Sequence, residues 1–445
     1  MNPNNDINEK SILSDEKRFP VPSDPHIYLC IDLKSFFASV EAVERGLDPM
    51  TTNLVVADPD RSRGTICLAI TPAMKRLGIK NRCRLYEIPT DVEYIIAPPR
   101  MQKYIDYAAD IYSIYLKYIA KEDIYVYSID EAFMDVTDYL HLYNTTPKKL
   151  GRRIMADILA ATGIRATCGI GTNLYLAKIA LDITAKHSRD FIGELDEDTY
   201  CRTLWYHDPL TDFWRIGPGT ARRLAEYGIH TMGQIAHADE DFLYRLFGID
   251  AELLIDHAWG REPVTIKDIK AYKSKTNSLS SGQVLMRDYK YDEGRLIAKE
   301  MMDLLCLDMT DKKLVTRSVS LCIGYSHTRH QPPSNGTTSL NSETNSSAVL
   351  VPKVAKLYDE IVNPYVPIRR INITCNSVVP EEYHQYDLFA DYETREKEQK
   401  AQKAVLEIKS KYGKNAILKG MDFEEGAMTR ERNRQIGGHK SGSET

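Results

Sequence analysis

Carboxylates set into apolar, strand-forming sequence constrain this chain more than any other feature. Asp32 closes the run Ile27-Tyr28-Leu29-Cys30-Ile31-Asp32, and Asp130 and Glu131 lie within Ile124-Tyr125-Val126-Tyr127-Ser128-Ile129-Asp130-Glu131-Ala132-Phe133-Met134-Asp135. Both segments read as buried strands, where a carboxylate is costly unless a cation compensates it. In the first run Ile27, Leu29 and Ile31 share one face and Tyr28, Cys30 and Asp32 the other, so Asp32 leaves the core face where the strand ends. A lone Asp at that point would serve equally well as a helix N-cap. The 130–131 pair is more restrictive, because adjacent strand residues point to opposite faces. Beside a hairpin turn, however, both can reach one cation. Three acids at the ends of adjacent strands would line an oxygen site for two Mg²⁺ ions, which clamp the attacking and leaving oxygens of a phosphoryl transfer. Asp135 is expected to cap or brace the hairpin instead.

At 445 residues the chain has room for several domains, and its 43% hydrophobic and 27% charged residues are those of an ordinary soluble protein. No apolar run approaches the roughly 20 residues of a membrane span. Residues 1–25 are polar, lack the apolar core of a signal peptide and read as a flexible leader, which places the protein in the cytoplasm. The eight cysteines are scattered without a CxxC pair, so neither a zinc site nor a redox motif is signalled. The net charge of −5 hides an asymmetry. Residues 266–380 carry 16 Lys+Arg against 11 Asp+Glu, a net +5, leaving −10 for the rest. A basic module on an acidic body suits docking to a phosphate backbone.

Patterning divides the chain. A helix over 35–44, a short strand over 53–57, a turn-rich polar loop over 58–64, a strand over 65–70 and a helix over 73–77 are expected. A helical apolar stripe over 101–119 (Tyr104, Tyr107, Ala108, Ile111, Tyr115, Tyr118) should pack on a sheet. A hairpin over 124–136, helices over 150–161 and 174–186 and a strand over 165–170 complete one sheet covered by helices. Residues 190–262 read as mostly helical, 267–281 as a polar linker, and 282–380 as mixed strands and helices. Within the last, 326–347 is a long loop or irregular hairpin. The charged tail carries a helix around 397–411, with its last dozen residues disordered.

Several side chains stand out beyond the acids. On the helix after Asp32, Phe36 lies on the apolar stripe, whereas Phe37 shares its stripe with Glu41 and Glu44 and should line a cavity or lie half exposed. Lys178 is flanked by apolar residues; its ammonium could snorkel to solvent or reach phosphates. Lys75 and Arg76 are further candidates for triphosphate contacts. In Ile216-Gly217-Pro218-Gly219-Thr220-Ala221-Arg222-Arg223, a Gly-x-Gly turn between short helices would present backbone N–H groups to a phosphate, with Arg222 and Arg223 alongside. A turn using glycine for geometry alone is the competing reading. Gln385-Tyr386-Asp387-Leu388-Phe389 puts a Leu-Phe pair on a tail, suited to a partner's groove.

Together these residues resemble the Y-family of DNA polymerases, the DinB/UmuC group that copies damaged templates. The match rests on Ile31-Asp32 with Phe36-Phe37-Ala38-Ser39-Val40-Glu41, on Tyr127-Ser128-Ile129-Asp130-Glu131-Ala132-Phe133, and on Cys168-Gly169-Ile170-Gly171-Thr172-Asn173 leading to Ala177-Lys178. It is most similar to the UmuC-like enzymes of Gram-positive bacteria and their mobile elements. The resemblance implies an α/β multidomain right hand. Its parts are palm (26–57 and 100–189), small fingers (58–99), helical thumb with a helix-hairpin-helix (190–265), linker (266–281), α+β little finger (282–380) and a tail (381–445). It implies that Asp32, Asp130, Glu131 and the Leu33 carbonyl hold two Mg²⁺, for which Mn²⁺ can substitute. It casts Phe37 as the steric gate against ribonucleotides, with Phe36, Lys75, Arg76 and Lys178 around the deoxynucleoside triphosphate. Gly217, Gly219, Arg222 and Arg223 would hold primer-template DNA, and Gln385, Leu388 and Phe389 a bacterial sliding clamp, the enzyme acting as a monomer. Two positions depart from the family pattern: Pro72 and Lys75 stand where many relatives have Tyr and Arg, and Ser35 where many have an aromatic. The rival readings are a nucleotide cyclase, which would need neither the glycine turn nor the basic module, and a non-catalytic DNA-binding protein, which would not need all three acids.

Overall fold

The computed structural model describes residues 26–61, 63–274, 277–326, 331–381 and 392–442. The strands of its N-terminal half are β1 (Tyr28–Leu33), β2 (Leu54–Val56), β3 (Ala69–Ile70), β4 (Ile95–Ala97), β5 (Ile124–Val126), β6 (Glu131–Asp135), β7 (Ala166–Gly171) and β8 (Ile192–Leu195). The helices are α1 (Phe36–Val43), α2 (Pro72–Arg76), α3 (Met101–Tyr115), α4 (Thr137–Leu142), α5 (Pro147–Thr162) and α6 (Leu174–Ile179). Five strands make one sheet in the order β5-β6-β1-β7-β8, antiparallel except between β7 and β8. A smaller sheet, β3-β2-β4, joins the main core through Leu54, Val56, Ala69 and Ala97 and carries a second apolar cluster around Val55, Ile70, Met74 and Leu85.

The alternation along β1 sorts its side chains as expected. Leu29, Ile31 and Leu33 join Tyr104, Ile111, Ile154 and Ile158 of α3 and α5. Tyr28 and Cys30 join Phe133, Leu174 and Ala177 on the opposite face. α5 starts three residues before the apolar stripe does, because the Thr146 hydroxyl accepts from the Lys149 N–H and Pro147 sits at the first helical position, which needs no donor.

Glycine makes the second layer possible. α6 lies on β7 with no side-chain spacer: a Cβ on Gly169 would sit 2.0 Å from the Ala177 carbonyl oxygen, and one on Gly171 2.1 Å from the Ala177 nitrogen. Gly193 of β8, paired with Gly169, is equally close to the turn that follows α6. Backbone contact at this distance cannot be relieved by rotamer change.

Residues 197–258 form a helical body around Leu224, Met232 and Leu243. Beyond it, strands Leu279–Tyr289, Leu314–Tyr325, Ser334–Thr344 and Ile368–Asn376 form an antiparallel sheet backed by helices Tyr291–Asp311 and Ser347–Ile361. No helix among the described residues is long and apolar enough to cross a membrane.

Four expectations change. The strand expected over 65–70 is confined to β3, because Thr65 and Cys67 bond to Leu85 and Cys83 and only Leu68 onward meets β2. The expected linker opens with a helix, Ile266–Ala271, whose Ile266 is buried against Tyr28, Cys30 and Phe133 and whose Lys270 ammonium donates to the Lys121 and Glu122 carbonyls. The expected loop over 326–347 contains the edge strand Ser334–Thr344, whose covered face is built of Ser, Gly and Thr apart from Leu340, so no apolar alternation marks it. The described tail residues run on to 442 and include a hairpin of Gln435–Ile436 and His439–Lys440. The 1–25 leader lies outside the described residues.

Gly169→Ala is expected to lower unfolding free energy by roughly 3 kcal/mol or more. Gly217→Ala, where nothing lies within 4 Å, should change it by under about 1 kcal/mol; urea titrations of the two variants provide the comparison.

Candidate active site

β1 and β6 bring the acids together. Asp32 and Glu131 are direct partners in the ladder and share the face of Cys30. The turn before β6 is closed by the Glu131 carbonyl, which accepts from the N–H groups of Tyr127 (3.0 Å) and Ser128 (3.1 Å). Asp130 lies in that turn; its carbonyl accepts from Leu33 N–H at 2.9 Å, and its carboxylate accepts from the Ser128 hydroxyl at 2.6 Å. Asp32 is not the N-cap of α1, a position held by Ser35 with φ 49° and no capping bond. Asp135 braces the hairpin, accepting from the Thr137 hydroxyl at 2.6 Å and pairing with His26 at 2.8 Å.

Lys178 does not snorkel. Its side chain is 9% exposed, and its ammonium lies 2.8 Å from Glu131 and 3.1 Å from Asp182. The Cys30 thiol donates to the other Glu131 oxygen at 3.3 Å. Burial opposes the charge on Lys178, yet Asp182 and Glu131 outweigh it and hold its pKa above the ordinary lysine value. Burial raises the Glu131 pKa, and Lys178 counters the rise.

Asp32 has no such partner. Burial, then the negative charges of Asp130 and Glu131, push its carboxyl up to about 7. Among the described residues no three His, Cys, Asp or Glu side chains are gathered closely enough to cage an ion unaided, since Glu131 is drawn to Lys178. The oxygen-only donors and the surplus negative charge at Asp32 nonetheless fit a hard divalent cation.

Around the acids lie lysines, two of which the sequence did not single out. Lys75 of α2 is held below its ordinary pKa by burial, against the pull of Asp32 and Asp130. Lys34 is lowered likewise by burial, with Asp32 opposing, and Lys186 acts on both. Three cations facing a cluster of acids is an arrangement suited to a polyanion bridged to metal. Arg76 is turned elsewhere and donates to the Met50 carbonyl.

Phe36 is buried and Phe37 half buried, as their stripes require. The Phe37 ring stacks on Tyr104 with centroids 4.6 Å apart at 20°. The charged stripe behind it is not a solvated face, because Glu41 is fully buried. It accepts from Arg100 Nε (2.9 Å) and Nη2 (2.8 Å), from the Tyr104 hydroxyl (2.8 Å) and from Arg45. Burial works against this carboxylate, and those hydrogen bonds hold its pKa below the usual range. Phe37 therefore rests on a wall that cannot yield without breaking a buried ion pair. An acid recurring with Phe37 at helical spacing was the available signal, but its partners lie on another helix.

The glycine turn caps the helix Pro218–Ala225 with Gly217 at the N-cap. The element before it is a single 3-10 turn, Leu210–Asp212, in place of the expected helix. Gly217 has φ −86°, open to any residue, and no atom lies within 4 Å of a Cβ on Gly217 or Gly219. Neither strain nor packing demands glycine here, so the turn is not built of glycine for geometry alone. Trp214 joins this turn to the acid hairpin, donating to the Tyr127 hydroxyl at 3.2 Å. Arg222 is exposed, and Arg223 lies over the Phe247 ring. Gln385, Leu388 and Phe389 lie outside the described residues.

Lys178→Met should strand a buried carboxylate and lower stability by about 3–5 kcal/mol; adding Glu131→Gln should restore a large part of the loss in urea unfolding.

Family models for the impB/mucB/samB family match residues 31–182, and for its C-terminal domain residues 276–388. A Bacillus subtilis (strain 168) protein named for UV-damage repair, UvrX, is 30% identical over 416 residues, spanning 93% of this chain and 97% of its own. DNA polymerase IV 2 of the same organism is 28% identical over 418 residues, spanning 93% and 98%. A solved Y-family DNA polymerase chimera of Dbh and Dpo4 shares the fold with a TM-score of 0.61 and 20% identity, over 80% of this chain and 99% of its own. The acid hairpin, the Lys178 helix laid on it and the C-terminal module thus occur in one matched framework, and the chain belongs to the impB/mucB/samB family, the UmuC/DinB-type Y-family DNA polymerases.

Proposed function

We propose that this polymerase extends a primer on damaged template DNA by two-metal nucleotidyl transfer, with low fidelity. On this reading residues 26–57 and 100–189 are the palm, 58–99 the fingers, 190–265 the thumb and 282–380 the little finger. The observation that carries it is the pairing of Asp32 with Glu131 across β1 and β6, with Asp130 in the adjoining turn bonded to Leu33, a concentration of carboxylates that a divalent pair relieves.

Asp32, Asp130, Glu131 and the Leu33 carbonyl would hold two Mg²⁺, with Mn²⁺ able to replace them. Bound there, the ions would favour the primer alkoxide and neutralise charge on the departing pyrophosphate. The chain's own residues do the positioning that dominates such reactions. Ser128 orients Asp130. Lys178 holds Glu131 in register with Asp32 and is placed to exchange this contact for a triphosphate oxygen. Lys75, with Lys34 and Lys186, draws in the triphosphate, a role that Arg76, held by Met50, does not share.

Phe37, backed by Tyr104 and Glu41, sets the wall against a ribose 2′-hydroxyl. The fingers region is short, a small lid that checks base-pair shape weakly and admits lesions. Gly217 and Gly219 leave room for a DNA phosphate at the helix N-terminus, and the net positive little finger grips the duplex. The Gln385, Leu388 and Phe389 motif would dock on a sliding clamp, with the enzyme working in the cytoplasm as a monomer.

Asp130→Ala should abolish primer extension with Mg²⁺ or Mn²⁺ while leaving the melting temperature within a few degrees; retained extension would remove the metal assignment. Phe37→Ala should raise ribonucleotide use by on the order of 10²-fold, the discrimination a steric wall provides against one added hydroxyl. Single-nucleotide incorporation assays measure it, and an unchanged preference would take the gate role from Phe37.

A further inference from the structure

The C-terminal segment leaves the little finger and returns to the catalytic body. Its helix, Tyr392–Tyr412, lies on the helix Tyr291–Asp311, with the Thr310 hydroxyl donating to Gln402 at 3.2 Å. Lys419 then pairs with Asp303 at 2.5 Å. Glu300, fully buried, accepts from the N–H groups of Met428 (2.9 Å) and Thr429 (3.0 Å), capping the turn Thr429–Arg432. The chain next crosses to the other body. The Ser441 carbonyl accepts from the Gln102 N–H at 2.9 Å, and so satisfies a donor of the first turn of α3 that has no partner within the helix. The Gly438 carbonyl accepts from Arg61 at 3.2 Å. Lys440 lies 2.9 Å from Asp58 and also pairs with Asp60. Gly442, at φ +78°, packs so closely on Arg100 that a Cβ would lie 2.6 Å from the Arg100 Cβ.

We propose that residues 433–442 are a releasable strap that holds the little finger beside the fingers and the first turn of α3, and that it lets go at its Lys440 end while staying anchored on Glu300. The two ends differ in kind. The anchor is a buried carboxylate bonded to two backbone donors, a charge-assisted contact that solvent does not screen. The far end is an ammonium 40% exposed, held between an Asp58 side chain 7% exposed and an Asp60 side chain 73% exposed, and salt weakens the open, Asp60 side of that pairing. Between them, Gln435 Oε1 is buried with no hydrogen-bond partner among the described residues, so undocking lets water satisfy an atom that docking leaves unmet. Once the strap is released, its contacts with Gln102, Arg61, Asp58 and Asp60 no longer hold the little finger to the body, and it is free to turn.

Hydrogen exchange of the full-length protein tests this without reference to catalysis. Lys440→Glu should speed exchange of the Gln102 amide and of the amides of 58–61 by about tenfold or more, while the Met428 and Thr429 amides keep their protection. Raising salt to about 1 M should act on the unaltered protein in the same direction. The charge exchange Lys440→Glu with Asp60→Lys should recover protection, and a chain ending at Arg432 should lose it at Gln102 fully. Unchanged exchange at Gln102 in the shortened chain would overturn the proposal. So would joint loss of protection at Gln102 and at 428–429 in Lys440→Glu, because the segment would then be an undivided part of the fold.

Discussion

The contact on which the site rests is the buried pair between Glu131 and Lys178. A carboxylate on the central sheet, nearly excluded from water, is tolerable only with a cation at hydrogen-bond distance. That cation comes from α6, and α6 can come close enough only because Gly169, Gly171 and Gly193 present no side chain to its backbone. One charge is thus met from within the protein. The remaining acids are not met, and the effect is read in Asp32, whose carboxyl holds its proton to about pH 7. The fold places more negative charge at this spot than it neutralises, which is the electrostatic condition for recruiting metal and, through metal, a polyphosphate.

The first turn of α3 is a second point of convergence. Arg100, just before it, secures Glu41; Tyr104, just after, stacks on Phe37; and Gln102 between them receives the C-terminal strap. The wall behind the nucleotide site and the seat of the strap therefore share one piece of backbone. Arg100, Gln102 and Tyr104 thus bind three different parts of the chain from a single helix end.

Much of this was legible before any coordinates. The face on which Asp32 lies, the hairpin holding Asp130 and Glu131, and the burial of Phe36 against the partial exposure of Phe37 all follow from two- and 3.6-residue periodicity, which is a local property. Glu41 was misjudged for the same reason: a charge at a helical position reads as solvent-facing unless its partners are visible, and Arg100 and Tyr104 lie some sixty residues away in sequence. Lys34 and Lys186 went unnoticed because a lysine gains significance here only from its distance to the acids. The strand Ser334–Thr344 escaped because its covered face carries Ser, Gly and Thr where apolar residues would have marked the alternation. The tail hairpin escaped because a polar, charged composition describes a segment with no core of its own, and this one docks on other parts of the chain.

The sequence alone determined where the buried carboxylates fall and which strand or helix faces are apolar, because apolar periodicity is encoded residue by residue. Only tertiary structure decided that Lys178 spends its charge on Glu131 and Asp182, that Glu41 is a buttress, that Arg76 faces Met50, and that the last described residues reach back to α3. Each of these depends on distances between segments far apart in the chain, where a small difference in separation decides whether a charge is compensated or left exposed.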